Sequence, residues 1–241
     1  DETSFIEGLK GMADLLSLDS IPARIEAYDI SNTGSSEIVA SMVVFERGKP
    51  ANSEYRRFKI KSLDTQNDYA SMQEVVYRRF KHAEKEKNDD SNSEGKFSKM
   101  PDLILVDGGL GHVGAVTDVM KELNIQIPAF GMVKNDRHRT RGLVSMDNEF
   151  DLADNMTVLR FVTAVQDEAH RFVIEYNKRL RQKRYTKSVL DDIEGIGPKR
   201  KKALLRHFGS LPKIKSAQID ELIKVDGLSR AVAEKIYDYF R

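Results

Sequence analysis

The chain has 241 residues, 40% of them hydrophobic and 32% charged, which fits one large or two smaller globular domains with a real core. It has no cysteine, so disulfides, thiolate zinc sites and cysteine nucleophiles are excluded, and no apolar run reaches the roughly 18 residues of a membrane span. The formal net charge of +1 conceals an asymmetry: from Arg171 to Lys215 fourteen Lys or Arg face only Glu175, Asp191, Asp192 and Glu194. A block of that kind is either a solvated helix face or a docking surface for a polyanion. No signal-peptide pattern opens the chain, the composition fits a cytoplasmic protein, and a start at Asp1 is expected of a fragment of a longer one.

Residues 5–16 space their apolar side chains as a short amphipathic helix that stops at Asp19-Ser20-Ile21-Pro22. From Arg24 to Ile30 the pattern is extended. A polar turn from Ser31 to Ser36 leads into the β-rich run Ile38 to Phe45, and Arg47-Gly48-Lys49-Pro50 turns the chain into the alternating strand Tyr55 to Ile60. These strands predict an antiparallel meander. Helical periodicity starts near Asp68, carried by Tyr69, Met72, Val75, Val76, Arg79 and Phe80, and gives way to a stretch from Lys85 to Lys96 too polar to bury anything. A mobile insertion is expected over 85–99.

Next come a strand from Leu103 to Asp107, a helix from about Gly114 to Leu123 and a strand around Ala129 to Val133, a βαβ order that calls for parallel strands. The basic loop Arg137-His138-Arg139-Thr140-Arg141-Gly142 precedes extended pieces at Leu143-Val144 and Phe150 to Leu152. A long helix covers about Thr163 to Lys183. The whole predicts an α/β fold with a mixed five-stranded sheet flanked by helices over 1–185, followed by a small all-α domain over 186–241.

Two of these strands end in an aspartate, Asp29 and Asp107, the second followed by Gly108-Gly109. A carboxylate at the end of a buried strand must be hydrated, paired or bound to a cation. If the two strands are neighbours, both carboxylates leave one edge of the sheet, and such hard oxygen ligands select Mg2+ or Mn2+. Each is also an ordinary turn-former, Asp29 before Ser31-Asn32 and Asp107 before its glycines. The third candidate, His170, borders the apolar stripe Val162, Val165, Ala169, Phe172 and Tyr176 of the long helix. There it is structural unless it shares a site with the aspartates. Gly108-Gly109-Leu110-Gly111 lacks the rest of a dinucleotide fingerprint and reads as a tight turn that keeps bulk away from Asp107.

The basic block carries a repeat. Leu190 to Leu205 reads as helix, glycine turn (Gly195-Ile196-Gly197) and helix, with Pro198 in the first turn of the second helix; Ile219 to Ala233 repeats the layout around Gly227-Leu228-Ser229. Turn glycines let backbone N–H groups approach a phosphate, which a helix N-terminus and Lys199 also attract, and such a grip holds backbone without reading bases. The pair resembles a tandem helix-hairpin-helix DNA-binding module, with Ser229 in the second copy where the first has Gly197. A hairpin used only for packing or protein contacts is the other reading.

Taken in order, Arg24-Ile25-Glu26-Ala27-Tyr28-Asp29-Ile30-Ser31, Tyr55-Arg56-Arg57-Phe58, Asp68-Tyr69-Ala70, Asp107-Gly108-Gly109, the basic loop from Asp136 to Leu143, Asp167-Glu168-Ala169-His170-Arg171-Phe172 and the two hairpins resemble the C-terminal half of the UvrC family, the nuclease subunits of bacterial nucleotide excision repair. The likeness runs from about Leu9 to Phe240. It implies an RNase H-like endonuclease domain whose Asp-Asp-His triad, holding Mg2+ or Mn2+, falls on Asp29, Asp107 and His170, with Asp68 as a supporting acidic residue. It implies incision on the 5′ side of a lesion in double-stranded DNA, in the bacterial cytoplasm. A UvrB-type loading partner is implied too, its main docking segment lying outside this chain. DNA contacts are expected from Arg137, Arg139 and Arg141, and from Gly195, Gly197, Lys199, Arg200, Lys201, Gly227, Ser229 and Arg230. Leu110 and His112 stand where Lys and Gln are usual in that family, and Asn177 replaces a common His. Two other functions fit the same residues: a non-catalytic DNA-structure-binding scaffold, and an RNase H-like nuclease for hybrid or branched substrates. A nicking assay separates the first from an enzyme.

Overall fold

The computed structural model describes residues 2–32, 37–61, 67–88 and 97–241. An N-terminal helix α1 (Glu2–Leu15) precedes β1 (Arg24–Ser31), β2 (Val39–Glu46), the two-residue β3 (Lys49–Pro50) and β4 (Arg56–Lys59). Helix α2 (Asp68–Asn88) leads to β5 (Leu103–Asp107), α3 (Leu110–Glu122), β6 (Ala129–Lys134), β7 (Thr140–Val144), β8 (Glu149–Asp151) and the long α4 (Met156–Asp191). Four short helices end the chain: α5 (Pro198–Phe208), α6 (Leu211–Ser216), α7 (Ile219–Leu222) and α8 (Arg230–Tyr239).

The chain divides into two compact units, 1–177 and 178–241. The division falls inside α4, which runs without a break past Tyr185, where the sequence pattern had placed the change. Among the described residues no helix is long and apolar enough to cross a membrane.

In the first unit, β1 and β2 are buried along almost their whole length, as strands covered on both faces must be. The sheet is mixed and flanked by helices as expected, but wider. Among the described residues it has eight strands in the order β3-β2-β1-β5-β6-β7-β8, with β4 also on β2. The expected five become eight because Lys49-Pro50 adds its own rung beside Phe45-Glu46 and the extended pieces after the basic loop pair as an antiparallel hairpin on β6. The middle three strands are parallel, β5 lying between β1 and β6.

Register places the strand-ending carboxylates. Ala27 faces Leu105 across the β1 and β5 pair, so the same face two residues on brings Asp29 beside Asp107. The face of β1 carrying Ile25, Ala27 and Asp29 meets α1 and α4. There Phe161 makes edge contacts with Phe5 and Phe45, and a Cβ on Gly8 would lie 2.7 Å from the Phe161 Cβ. The opposite face, with Glu26 and Tyr28, meets α2, against which α3 packs.

On that opposite face lies a buried charge cluster. Glu26 accepts from Arg79 (2.7 and 2.8 Å), Arg24 (3.2 Å) and the Tyr28 hydroxyl (2.6 Å). Both carboxylate oxygens are therefore satisfied, the condition for burying an ion pair at all. Arg79 also donates to the backbone carbonyls of Phe97 and Lys99. The insertion expected over 85–99 thus needs correction at both ends: residues 85–88 continue α2, and 97–99 are fastened by Arg79 with Phe97 packed on the core. Its middle, 89–96, lies outside the described residues, as do 33–36 of the expected turn after β1.

The second unit is wholly helical. Its core gathers Leu190 and Ile193 from the end of α4 and its turn, Leu204 from α5, Leu222 from α7, and Val232 and Ile236 from α8.

Candidate functional site

Asp29, Asp107 and His170 converge. One ligand atom from each lies within 4.8 Å of the others, although the three come from β1, β5 and α4. The His170 Nδ1 stands 3.0 Å from Asp29 Oδ2. The helix is set at the right height by Ser41, which faces Asp29 across the β1 and β2 pair and donates to the Ala169 carbonyl at 3.0 Å. Glycine makes room beneath: Gly131 on β6 passes so close to the turn after Asp107 that a Cβ there would lie 2.2 Å from the Gly108 carbonyl oxygen.

Burial pushes the Asp29 carboxyl above the usual carboxylate range, with His170 opposing and Asp107 adding to the shift. Its bond to Asp29 raises the His170 imidazole above its ordinary value, against the effect of partial burial.

Two further residues complete the site, and the sequence reading assigned neither a role. Lys134, at the end of β6, donates to Asp107 Oδ2 at 2.9 Å. Gln166, one turn before His170 on α4 and almost fully buried, donates to Asp107 Oδ1 at 2.8 Å and to the Met132 carbonyl at 3.0 Å. The Thr140 hydroxyl donates to the Gln166 side-chain carbonyl. Each oxygen of Asp107 is therefore held by a donor, and Gln166 is fixed at both ends of its amide. A signal for Gln166 was present: a polar side chain on the apolar side of α4, four residues before His170.

Other expected residues are dispersed. Asp68 opens α2, exposed and outside the cluster, though the neighbouring Tyr69 ring packs edge-on against His112 near the start of α3. Arg141 pairs with Glu149 at 2.6 Å. Arg137 and Arg139 have no ion-pair partner among the described residues; Asn135 shapes their loop by accepting from both backbone N–H groups. Arg57 continues the row Asp29, Ser41 across the sheet, its guanidinium 4.0 Å from the Phe172 ring centre.

In the second unit, Gly195 (φ +88°) and Gly227 (φ +78°) occupy the left-handed region that a turn of this tightness requires. Lys199 and Arg230 are exposed near the starts of α5 and α8. Four expected DNA contacts have partners within the unit, among them Arg230, which pairs with Glu234 at 3.2 Å. Lys201 is buried and paired with Asp191, because the phase of α5 turns it toward the helix before it. Arg200 ties the two hairpins together, donating to the Gly195 carbonyl at 2.7 Å and the Gly227 carbonyl at 2.9 Å. Ser229 caps α8 by accepting from the Val232 N–H. An open groove lined by Lys199, Lys202, Arg206, His207, Lys224 and Asp226 adds basic residues that the motif had not singled out.

Comparison with known proteins identifies the family of both units. Residues 13–174 match the UvrC RNAse H endonuclease domain, and residues 187–241 match a SAM-like helix-hairpin-helix tandem. The chain belongs to the UvrC family. The UvrABC system protein C of Acetivibrio thermocellus is 60% identical over 243 residues, covering 98% of this chain and 39% of that protein. That of Ruminiclostridium cellulolyticum is 57% identical over 234 residues, with 97% and 38% covered. The chain thus spans about two fifths of the length of these UvrC relatives. Among solved structures, Ciona intestinalis endonuclease V in complex with an inosine-containing DNA aligns with a TM-score of 0.39 at 11% identity, over 66% of this chain and 87% of that one. Human ENDOV aligns with a TM-score of 0.38 at 12% identity, over 66% and 86%. In the UvrC frame the mixed sheet with its flanking helices is the RNase H-like endonuclease domain, and it carries the Asp29, Asp107 and His170 cluster.

Proposed function

We propose that this chain is the half of an excision nuclease subunit that hydrolyses one phosphodiester on the 5′ side of a lesion in double-stranded DNA, at a Mg2+ or Mn2+ site made by Asp29, Asp107 and His170. The observation that carries the reading is the meeting of these three side chains from separate elements within 4.8 Å. The donor set fits a hard dication: two adjacent carboxylates repel, burial disfavours the charge of Asp29, and a dication relieves both penalties. The imidazole tilts preference toward Mn2+. Bound there, the cation supplies Lewis-acid polarisation of the phosphate and a water of lowered pKa.

The protein's own groups prepare that site. Lys134 and Gln166 orient Asp107. A proton is held between His170 Nδ1 and Asp29 Oδ2, and filling the site displaces it. The glycine turns and helix starts of the second unit grip the DNA backbone, with Lys199, Arg230 and the basic groove supplying charge. Asp68 supports the site from the start of α2, and Arg137 and Arg139 contact the duplex. A UvrB-type partner loads the protein onto damage.

The test is incision of a lesion-bearing duplex, with and without UvrB, by the wild type and by Asp29→Asn. The variant is expected to lose cutting while keeping its affinity for DNA. Undiminished cutting by Asp29→Asn would remove this site from the reaction.

A further inference from the structure

Lys134 lies outside the proposed donor set, yet strand alternation places its ammonium within the site: Asp107 faces Met132 across the β5 and β6 pair, and Lys134 follows two residues on, on the same face. Across the β6 and β7 pair, Val133 faces Gly142, but Lys134 faces Thr140, so Arg141 is skipped. A slip of one residue is a β-bulge, which re-aims the side chains beside it. Here the extra residue is on β7, so Lys134 keeps its place on Asp107 Oδ2 while Thr140 is brought opposite it and to the amide that holds Asp107 Oδ1. The Lys134 side chain is 32% exposed, and an ion pair that accessible contributes little to stability. Stability alone is a poor reason for aiming an ammonium there.

The chemistry of the site supplies a better one. A phosphodiester arrives with one negative charge and gains a second in its transition state, while Asp29 and Asp107 repel it. An ammonium carries three donors on a flexible stem and can move from a carboxylate to a neighbouring phosphate oxygen. Resting on Asp107, Lys134 also opposes a dication at the same carboxylate.

We infer that Lys134 is a phosphate-binding residue of the nuclease site, resting on Asp107 Oδ2 in the free protein and passing to a non-bridging oxygen of the phosphodiester when Asp107 turns to a cation. This rests on the metal-dependent nuclease reading above. It assigns two opposed effects to one side chain: Lys134 weakens cation binding and speeds cutting. A merely structural partner of Asp107 would not do both, since losing it would leave the carboxylate misplaced and cation binding weaker.

The experiment measures Mn2+ affinity by calorimetry without DNA, and nicking at saturating Mn2+, for the full chain with Lys134→Met, Lys134→Arg and Asp29→Asn. Lys134→Met is expected to bind Mn2+ at least about fivefold tighter and to cut on the order of a hundredfold more slowly. Lys134→Arg should recover most of the cutting. Weaker Mn2+ binding by Lys134→Met, wild-type cutting by it, or an arginine variant no better than methionine would each overturn the proposal. The underlying nuclease reading fails differently: Mn2+ affinity would then be indifferent to Asp29→Asn as well, and the wild type would not nick.

Discussion

The two units of this chain meet a phosphate in opposite ways. In the first, the decisive groups are far apart in sequence, and each arrives only through long-range packing: Asp29 and Asp107 by the register of parallel strands, His170 by the phase and height of α4. In the second, the parts are local, a glycine turn, a helix start and exposed basic side chains within a few residues, repeated once. A site of the first kind concentrates charge where burial makes it costly; one of the second kind offers backbone dipoles at a surface where salt screens them. Chemistry and grip should therefore be separable by mutation.

The largest expected effect is at the carboxylate pair. Asp29→Asn should reduce nicking by about a thousandfold or more, with DNA affinity within about twofold of wild type. A parallel loss of DNA binding, read by a filter or anisotropy assay, would show that the units are not separable. Next comes the double variant Gly195→Ala with Gly197→Ala, which strains the left-handed position of Gly195 and sets a methyl group at the open face of Gly197, where a phosphate would approach. It should raise the Kd for DNA on the order of thirtyfold, through lost charged hydrogen bonds, and leave Mn2+ affinity unchanged.

Gln166→Leu sharpens the comparison from the other side, because it leaves the helical unit and the three proposed ligands themselves unchanged and removes only a donor that holds Asp107. Freeing Asp107 Oδ1 should slow cutting about tenfold without changing DNA affinity. The smallest effect is in pH. Asp29 is held above the usual range chiefly by burial and His170 chiefly by its bond to Asp29, and each must shed its proton to become a ligand. Cation affinity therefore falls as pH drops through those raised values and levels off above them. Calorimetry from about pH 5.5 to 8 should show a several-fold rise in Mn2+ affinity in the wild type and a shallower one in Asp29→Asn.

Much of this architecture was legible from residue order. Strand-ending carboxylates made Asp29 and Asp107 partners on condition that their strands are neighbours, a condition that the β1 and β5 pairing meets, and the stripe on α4 gave the phase of His170. Lys134 was not legible, because its place beside Asp107 depends on the register of β6 on β5, and Thr140 was not, because a one-residue slip between β6 and β7 sets its direction. The run Lys199-Arg200-Lys201-Lys202 reads as uniformly basic, but helix phase divides it: Lys199 and Lys202 face solvent, Lys201 turns inward to Asp191, and Arg200 bridges two turns. At the sheet's far edge the extended pieces at Leu143-Val144 and Phe150 to Leu152 were legible but their pairing was not, because β7 and β8 are short and partly exposed, with little alternation.

Arg79 does for this fold what a cable gland does for a wire entering a casing. Its guanidinium is wholly buried, clamped to Glu26 on β1, and it grips the chain at Phe97 and Lys99 just before β5 begins. One side chain thus settles two strands at once, β1 through Glu26 and the entry to β5 through two carbonyls, so the strands that end in Asp29 and Asp107 share a single anchor.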